Sequence, residues 1–345
     1  MKIAKSQAKI LFSALDEWNN TGLLDDNTTI LLKNDIEILN FDWKKLARYS
    51  FWISLICIVI AINAILSDRY LRELLEYIFN APYLLKFITL STLSGIIYFV
   101  GFKRQQQKPE KIFSNWAILF LGVLTTACAI YQLGKAFDSG SGHFSILLLL
   151  SFIVYAILGY FSKSNLIWCF ALISLGSWMG AETGYMSGWG AYYLGMNYPL
   201  RFILFGGILT FFALALEENK KFNHFTQVTL VIGLLYSFIA MWLLSIFGNY
   251  DPEDYYLNSV KPIELFHWSL LFALMSGAAI YHGLKQDNSI TKGFGVTFLF
   301  INLYTRFFEY FWNTTHKAVF FTILGISFWW LGSKAEKIWN LTAKK

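Results

Sequence analysis

Arg306 and Glu309 stand three residues apart in the aromatic stretch Leu303–Tyr310. On a helix that spacing puts both on one face, where opposite charges neutralise each other. Asn302, one turn earlier, extends the same polar stripe. Charge inside a bilayer is expensive, about 2.5–3.5 kcal/mol for an arginine at helix centre on insertion scales, so each such group is a candidate site. Two uses compete here: a ligand or ion site, or a structural pair anchored near the interface, where long side chains reach water. A second constellation lies in Gly176–Gly195. Gly176, Gly180, Gly184 and Gly188 recur every four residues, a small-residue face that lets helices approach closely. Glu182 sits within this run, and Tyr185, Trp189, Tyr192 and Tyr193 crowd after it. The segment is either tight helix packing followed by an interfacial aromatic belt, or an aromatic pocket for a lipid or sugar-like ligand under a glycine-rich lid. Arg201, just after Pro199, is a candidate partner for Glu182. The candidate ligand-binding residues are therefore Glu182, Tyr192, Arg201, Asn302, Arg306 and Glu309.

Other chemistry is weakly supported. Cys57, Cys128 and Cys169 fall singly in separate apolar runs, without the pairing of a disulfide framework or a zinc site. His267 and His282 are fifteen residues apart, about 22 Å along a helix and too far for one metal. No zinc-protease, phosphate-loop or serine-hydrolase signature occurs, so no catalytic residue, metal or cofactor is assigned. Asp251, Glu253 and Asp254 cluster between Gly248 and Pro262 and read as a solvated acidic loop, with a cation site as the alternative.

These residues must be positioned by membrane helices. The 345 residues are 56% hydrophobic but only 14% charged, well below the quarter charged that is usual for soluble domains. Apolar runs near the ~20 residues that cross a bilayer recur along the chain. They fall at Leu46–Leu66, Tyr83–Phe102, Ile112–Gly134, His143–Phe161, Leu166–Gly180, Leu200–Leu216, Phe225–Phe247, Leu265–Leu284, Ile290–Tyr310 and Lys317–Gly332. The expected fold is all-α: a polytopic integral membrane protein of about ten transmembrane helices with a short N-terminal cytoplasmic helical pair. Residues 1–45 form that amphipathic segment, 46–332 the membrane domain and 333–345 a basic tail. In the first segment, Ile3, Ile10, Leu11, Ala14, Leu15 and Trp18 repeat at helical spacing. Asp26 is the expected N-cap of a second helix running to about Asn40. Between Asp68 and Asn80 a further apolar stripe predicts an interfacial helix.

Ten spans put both termini on one side. Twenty of the 28 lysines and arginines fall on that side and five on the other, which makes the termini cytoplasmic. The net charge of +6 is thereby explained by topology and by anionic lipid headgroups. A nucleic-acid partner is not expected, since no basic patch interleaves with base-stacking aromatics. The lipid bilayer is the expected partner, with other membrane or envelope proteins as candidates.

Several local patterns occur together in order: Trp18 with Gly22-Leu23-Leu24, Ile130-Tyr131-Gln132-Leu133, Trp178, and Arg306-Phe307-Phe308-Glu309-Tyr310-Phe311 leading into a helix with Phe320 and Gly325. Together they resemble the bacterial membrane-protein family called domain of unknown function 2157. The resemblance implies a many-span protein of the bacterial inner membrane and no established activity. Two functions are open at this level: a transporter- or flippase-like carrier for a small or lipid-linked solute, or a non-catalytic scaffold or sensor that partners envelope proteins.

Overall fold

The computed structural model describes residues 2–39, 80–138, 140, 142–215, 223–250 and 260–339, together with scattered positions between 46 and 64. The expected interfacial helix (68–79), the acidic cluster 251–254, the basic pair 220–221 and the tail beyond 339 lie outside the described residues. Eleven helices occur among them: α1 (Lys5–Asn20), α2 (Asp26–Asn34), α3 (Tyr83–Gln107), α4 (Ile112–Ala136), α5 (Ser145–Ser162), α6 (Asn165–Met186), α7 (Tyr198–Ala215), α8 (Asn223–Phe247), α9 (Phe266–Lys285), α10 (Ser289–Phe311) and α11 (Lys317–Trp339). Two three-residue strands, β1 (Lys2–Ala4) and β2 (Glu37–Leu39), pair in parallel.

The chain divides into two units, Met1–Pro82 with Gly95–Leu121, and Tyr83–Ser94 with Gly122–Lys345. In the first, α1 and α2 meet in a hairpin that buries Ala8 and Leu15 and leaves Ile10, Leu23, Ile30 and Leu31 exposed. The cap of α2 is Asp25, not Asp26: Asp25 is extended and its carboxylate accepts from the Thr28 amide and hydroxyl. The helix stops at Asn34, short of Asn40, because Glu37–Leu39 is drawn into the pairing with β1. The Thr28 hydroxyl and amide hold the Asp25 carboxyl below its ordinary value of 3.8. A depressed carboxyl stabilises the folded form above the ordinary value, and the contribution disappears as pH falls through the lowered one. Amide protection across Asp26–Asn34 is therefore expected to fall selectively under acid, as read by hydrogen exchange. In Asp25→Ala that acid-dependent step disappears.

In the second unit, consecutive helices form hairpins, α5 with α6, α7 with α8, and α9 with α10. Helix α8 also packs on α6, α9 and α10. It is the centre of the bundle: 56% of its apolar window is buried, against 17–33% for the other helices of comparable length and apolarity. Its Leu230, Leu234, Phe238, Met241 and Leu244 build a core with Phe272 of α9 and Phe298 of α10. The rings of Phe238 and Phe298 lie 4.9 Å apart between centroids, within the range of favourable aromatic pairs. Helices α7 and α8 touch backbone to backbone: a Cβ on Gly206 would stand 2.7 Å from the Gly233 carbonyl oxygen and 2.6 Å from the Ser237 nitrogen.

Among the described residues, six helices, α3 to α8, are long and apolar enough to cross a membrane. Their outward faces are apolar as well, with Phe99, Ile208 and Phe211 each more than two-thirds exposed. Lipid supplies the apolar solvent that such faces require. The molecule is a multi-pass membrane protein. Helix α6 runs on to Met186, past the expected end at Gly180, because Gly176, Gly180 and Gly184 face ring systems rather than breaking the helix. Helix α11 continues to Trp339, so the boundary expected at Gly332 falls inside a helix.

Candidate functional site

Glu182, Tyr192 and Arg201 lie where α6 ends and α7 begins, Arg306 and Glu309 fall in the last turns of α10, and Asn302 sits in its middle. Glu182, in the last full turn of α6, accepts from Ser145 Oγ at 2.5 Å and lies 2.9 Å from His143 Nε2. The His143 ring stacks on Tyr185, one turn beyond Glu182, with centroids 3.9 Å apart. Glu182 and Arg201 are therefore not the pair that sequence position suggested. His143 and Ser145 take the carboxylate instead. The signal for them was topological: the segments before α5 and after α6 meet at the same end.

The connection from Ser187 to Asn197 folds over this end. Gly188 and Gly195 adopt left-handed backbone, and so do Trp189 and Leu194, where a side chain makes that conformation costly. Three side chains fix its position. Tyr192 Oη donates to the Asn249 carbonyl at 3.0 Å, Asn249 Nδ2 to the Gly195 carbonyl at 3.0 Å, and Asn197 Nδ2 to the Gly248 carbonyl at 2.8 Å. Gly184 permits the fit, since a Cβ there would lie 2.5 Å from Tyr198 Oη and 3.1 Å from the Trp189 ring. Close packing, one of the two expected readings, describes Gly176, Gly180 and Gly184. Tyr192 serves as a clasp between the connection and the turn that follows α8.

Arg201 is 4% exposed. Its guanidinium lies 3.9 Å from the Tyr198 ring centroid, and Nη2 donates to the Ala191 carbonyl at 3.0 Å.

Asn302, Arg306 and Glu309 occupy one face of α10, as their spacing requires. Each meets a protein partner. Asn302 Nδ2 donates to the Ser269 carbonyl at 2.9 Å while Ser269 Oγ donates to Asn302 Oδ1 at 2.8 Å, a reciprocal clasp between α9 and α10. Arg306 Nη2 donates to Glu309 Oε1 and to the Ser245 carbonyl, both at 2.9 Å, and Nη1 lies 2.6 Å from Glu309 Oε2. Thr305 accepts from Trp242 Nε1 at 2.9 Å, a further α8–α10 link with no sequence signature. The structure thus brings Glu182, Tyr192 and Arg201 into one neighbourhood, and Asn302, Arg306 and Glu309 into another on α10.

No family model, curated protein or solved structure matches this chain. Among the described residues no group of three histidine, cysteine or acidic side chains converges as metal ligands do, and the three cysteines are free.

The Asn302–Ser269 clasp gives a measurable expectation. Hydrogen bonds between membrane helices average about 0.6 kcal/mol and reach about 1.7, and this one is reciprocal and buried. Asn302→Ala is expected to cost about 1 kcal/mol, with Ser269→Ala and the double variant costing little more between them. Thermal unfolding in detergent across the four proteins reads the non-additivity.

Proposed function

We propose that this protein is a ten-span scaffold or sensor of the bacterial inner membrane, with both termini cytoplasmic and a ligand-facing surface on the outer side. The six apolar helices, the three long helices α9 to α11, and a first span at Leu46–Leu66 make ten. Every described position from 46 to 64 is helical, in keeping with that first span. The lysine and arginine bias then turns the Ser187–Asn197 connection outward. Membership of the family of domain of unknown function 2157 rests on the motifs quoted above.

One observation favours the scaffold or sensor over a carrier: Asn302, Arg306 and Glu309, the candidate side chains of α10, are each engaged by protein partners. A carrier keeps such groups for substrate and coupling ion near the membrane midplane, commonly on interrupted helices. Here Asn302, Arg306 and Glu309 hold Ser269, Ser245 and one another, and α8, α9 and α10 run unbroken around a phenylalanine core. Hydrogen exchange in lipid nanodiscs tests the reading. Amides of Thr229–Met241 and Gly295–Asn302 are expected to stay protected for hours. Exchange of both stretches within minutes would run water through the bundle and restore the carrier.

A further inference from the structure

Two arginines lie toward the same end of this bundle, Arg201 buried and Arg306 partly buried, and their surroundings differ. Arg306 keeps Nε without a hydrogen-bond partner among the described residues, but it faces the Glu309 carboxylate at 2.6 Å and the Ser245 carbonyl. Arg201, 4% exposed, has one carbonyl for Nη2, while Nε and Nη1 are enclosed without a hydrogen-bond partner among the described residues. Glu182, the partner its sequence position suggested, is committed to His143 and Ser145. A guanidinium keeps its proton under all ordinary conditions, so it cannot escape burial by neutralising. Removing a lone charge from water costs several kcal/mol unless an opposite charge and hydrogen bonds compensate. The Tyr198 face offsets part of that through cation–π attraction, but it leaves the N–H donors of Nε and Nη1 unmet. Planar donors of this kind match the oxygens of carboxylates and phosphates.

We infer that Arg201 is the recognition centre of an anion site, taking a carboxylate or phosphate group beneath the Ser187–Asn197 connection. The inference rests on the sensor reading above and names the class of ligand sensed. The connection supplies the cover: Tyr192 and Asn197 fasten it to Asn249 and Gly248, and Ala191 places its carbonyl on the guanidinium. Tyr198 holds the guanidinium plane, so the free donors are fixed in direction before the anion arrives. Such prior ordering lowers the cost of binding.

The test uses the full chain in nanodiscs of phosphatidylcholine, with inorganic phosphate titrated against chloride at constant ionic strength. Phosphate is expected to raise the melting temperature of the wild type by several degrees and to leave Arg201→Gln unmoved. Arg201→Lys, which keeps the charge but loses the planar donors, is expected to respond weakly. Without phosphate, Arg201→Gln is expected to melt no lower than the wild type, since it removes an uncompensated charge. Exchanging phosphatidylcholine for phosphatidylglycerol separates the sources: a shift with that lipid and none with free phosphate makes a lipid headgroup the occupant of the same site. Equal responses of wild type, Arg201→Lys and Arg201→Gln in both arms would overturn the inference. So would a loss of melting temperature on joint neutralisation of Asp251, Glu253 and Asp254, with a phosphate response appearing only in that variant, because the chain would then supply its own anion. Rapid exchange through α8 and α10 would instead contradict the sensor reading and leave an Arg201-dependent phosphate shift in place.

Discussion

Gly206→Leu is expected to prevent the α7–α8 hairpin from forming. A Cβ at this position meets the Ser237 side-chain oxygen at 2.5 Å, its backbone nitrogen at 2.6 Å and the Gly233 carbonyl at 2.7 Å. Two of these three are backbone atoms of a helix in the middle of the bundle, so no rotamer change makes room. The helices must separate, which also removes α8 from the contacts it makes through Gly233 with Thr210. Overpacking of this kind typically costs about 1–3 kcal/mol and occasionally more, and here the upper part of the range applies. Helix association in lipid depends on close van der Waals fit rather than on exclusion of water. The neighbouring Gly207 is the control, because a Cβ there meets nothing within 4 Å. Gly207→Leu is expected to fold normally. Yield of monodisperse protein and melting temperature in the same detergent compare the two variants directly.

Glu309→Ala is the second large effect. The side chains of Arg306 and Glu309 are 12% and 19% exposed, so solvent screens the pair little. Removing the carboxylate leaves the guanidinium with the Ser245 carbonyl alone. Breaking a buried pair from one side costs about 3–5 kcal/mol, whereas replacing both members by apolar side chains is often neutral. Glu309→Ala should therefore destabilise strongly, and Arg306→Met with Glu309→Leu should recover most of the loss. That recovery identifies the pair as structural. Failure of the double replacement to recover stability would return these two residues to the ligand-binding set.

The membrane architecture was legible in the sequence because a bilayer demands long apolar runs, and the spans at 83–102, 112–134 and 225–247 lie inside observed helices. The α10 stripe was legible for the same kind of reason: positions 302, 306 and 309 share a face on any α-helix. What they face was not legible. Ser269 and Ser245 come from helices whose rotation is set by packing, and serine in an apolar helix gives no sign of its partner. The Glu182 partners depend on which loops share an end, and Arg201 was assigned the wrong neighbour because proximity in sequence stood in for contact. The N-terminal cap moved by one residue, from Asp26 to Asp25, since both residues can cap and only the backbone at Asp25 is extended.

The bundle is packed through its middle, and no water-filled path links its two ends. Single-cysteine labelling tests it most directly. With Cys57, Cys128 and Cys169 replaced by serine, Tyr192→Cys, Asn302→Cys and Arg306→Cys are each exposed to an impermeant maleimide, on intact cells and on inverted vesicles. The account predicts that Tyr192→Cys labels on intact cells and not on inverted vesicles, while Asn302→Cys and Arg306→Cys resist labelling in both. Labelling of Asn302→Cys or Arg306→Cys from both faces would establish a water-filled path through the bundle and contradict it.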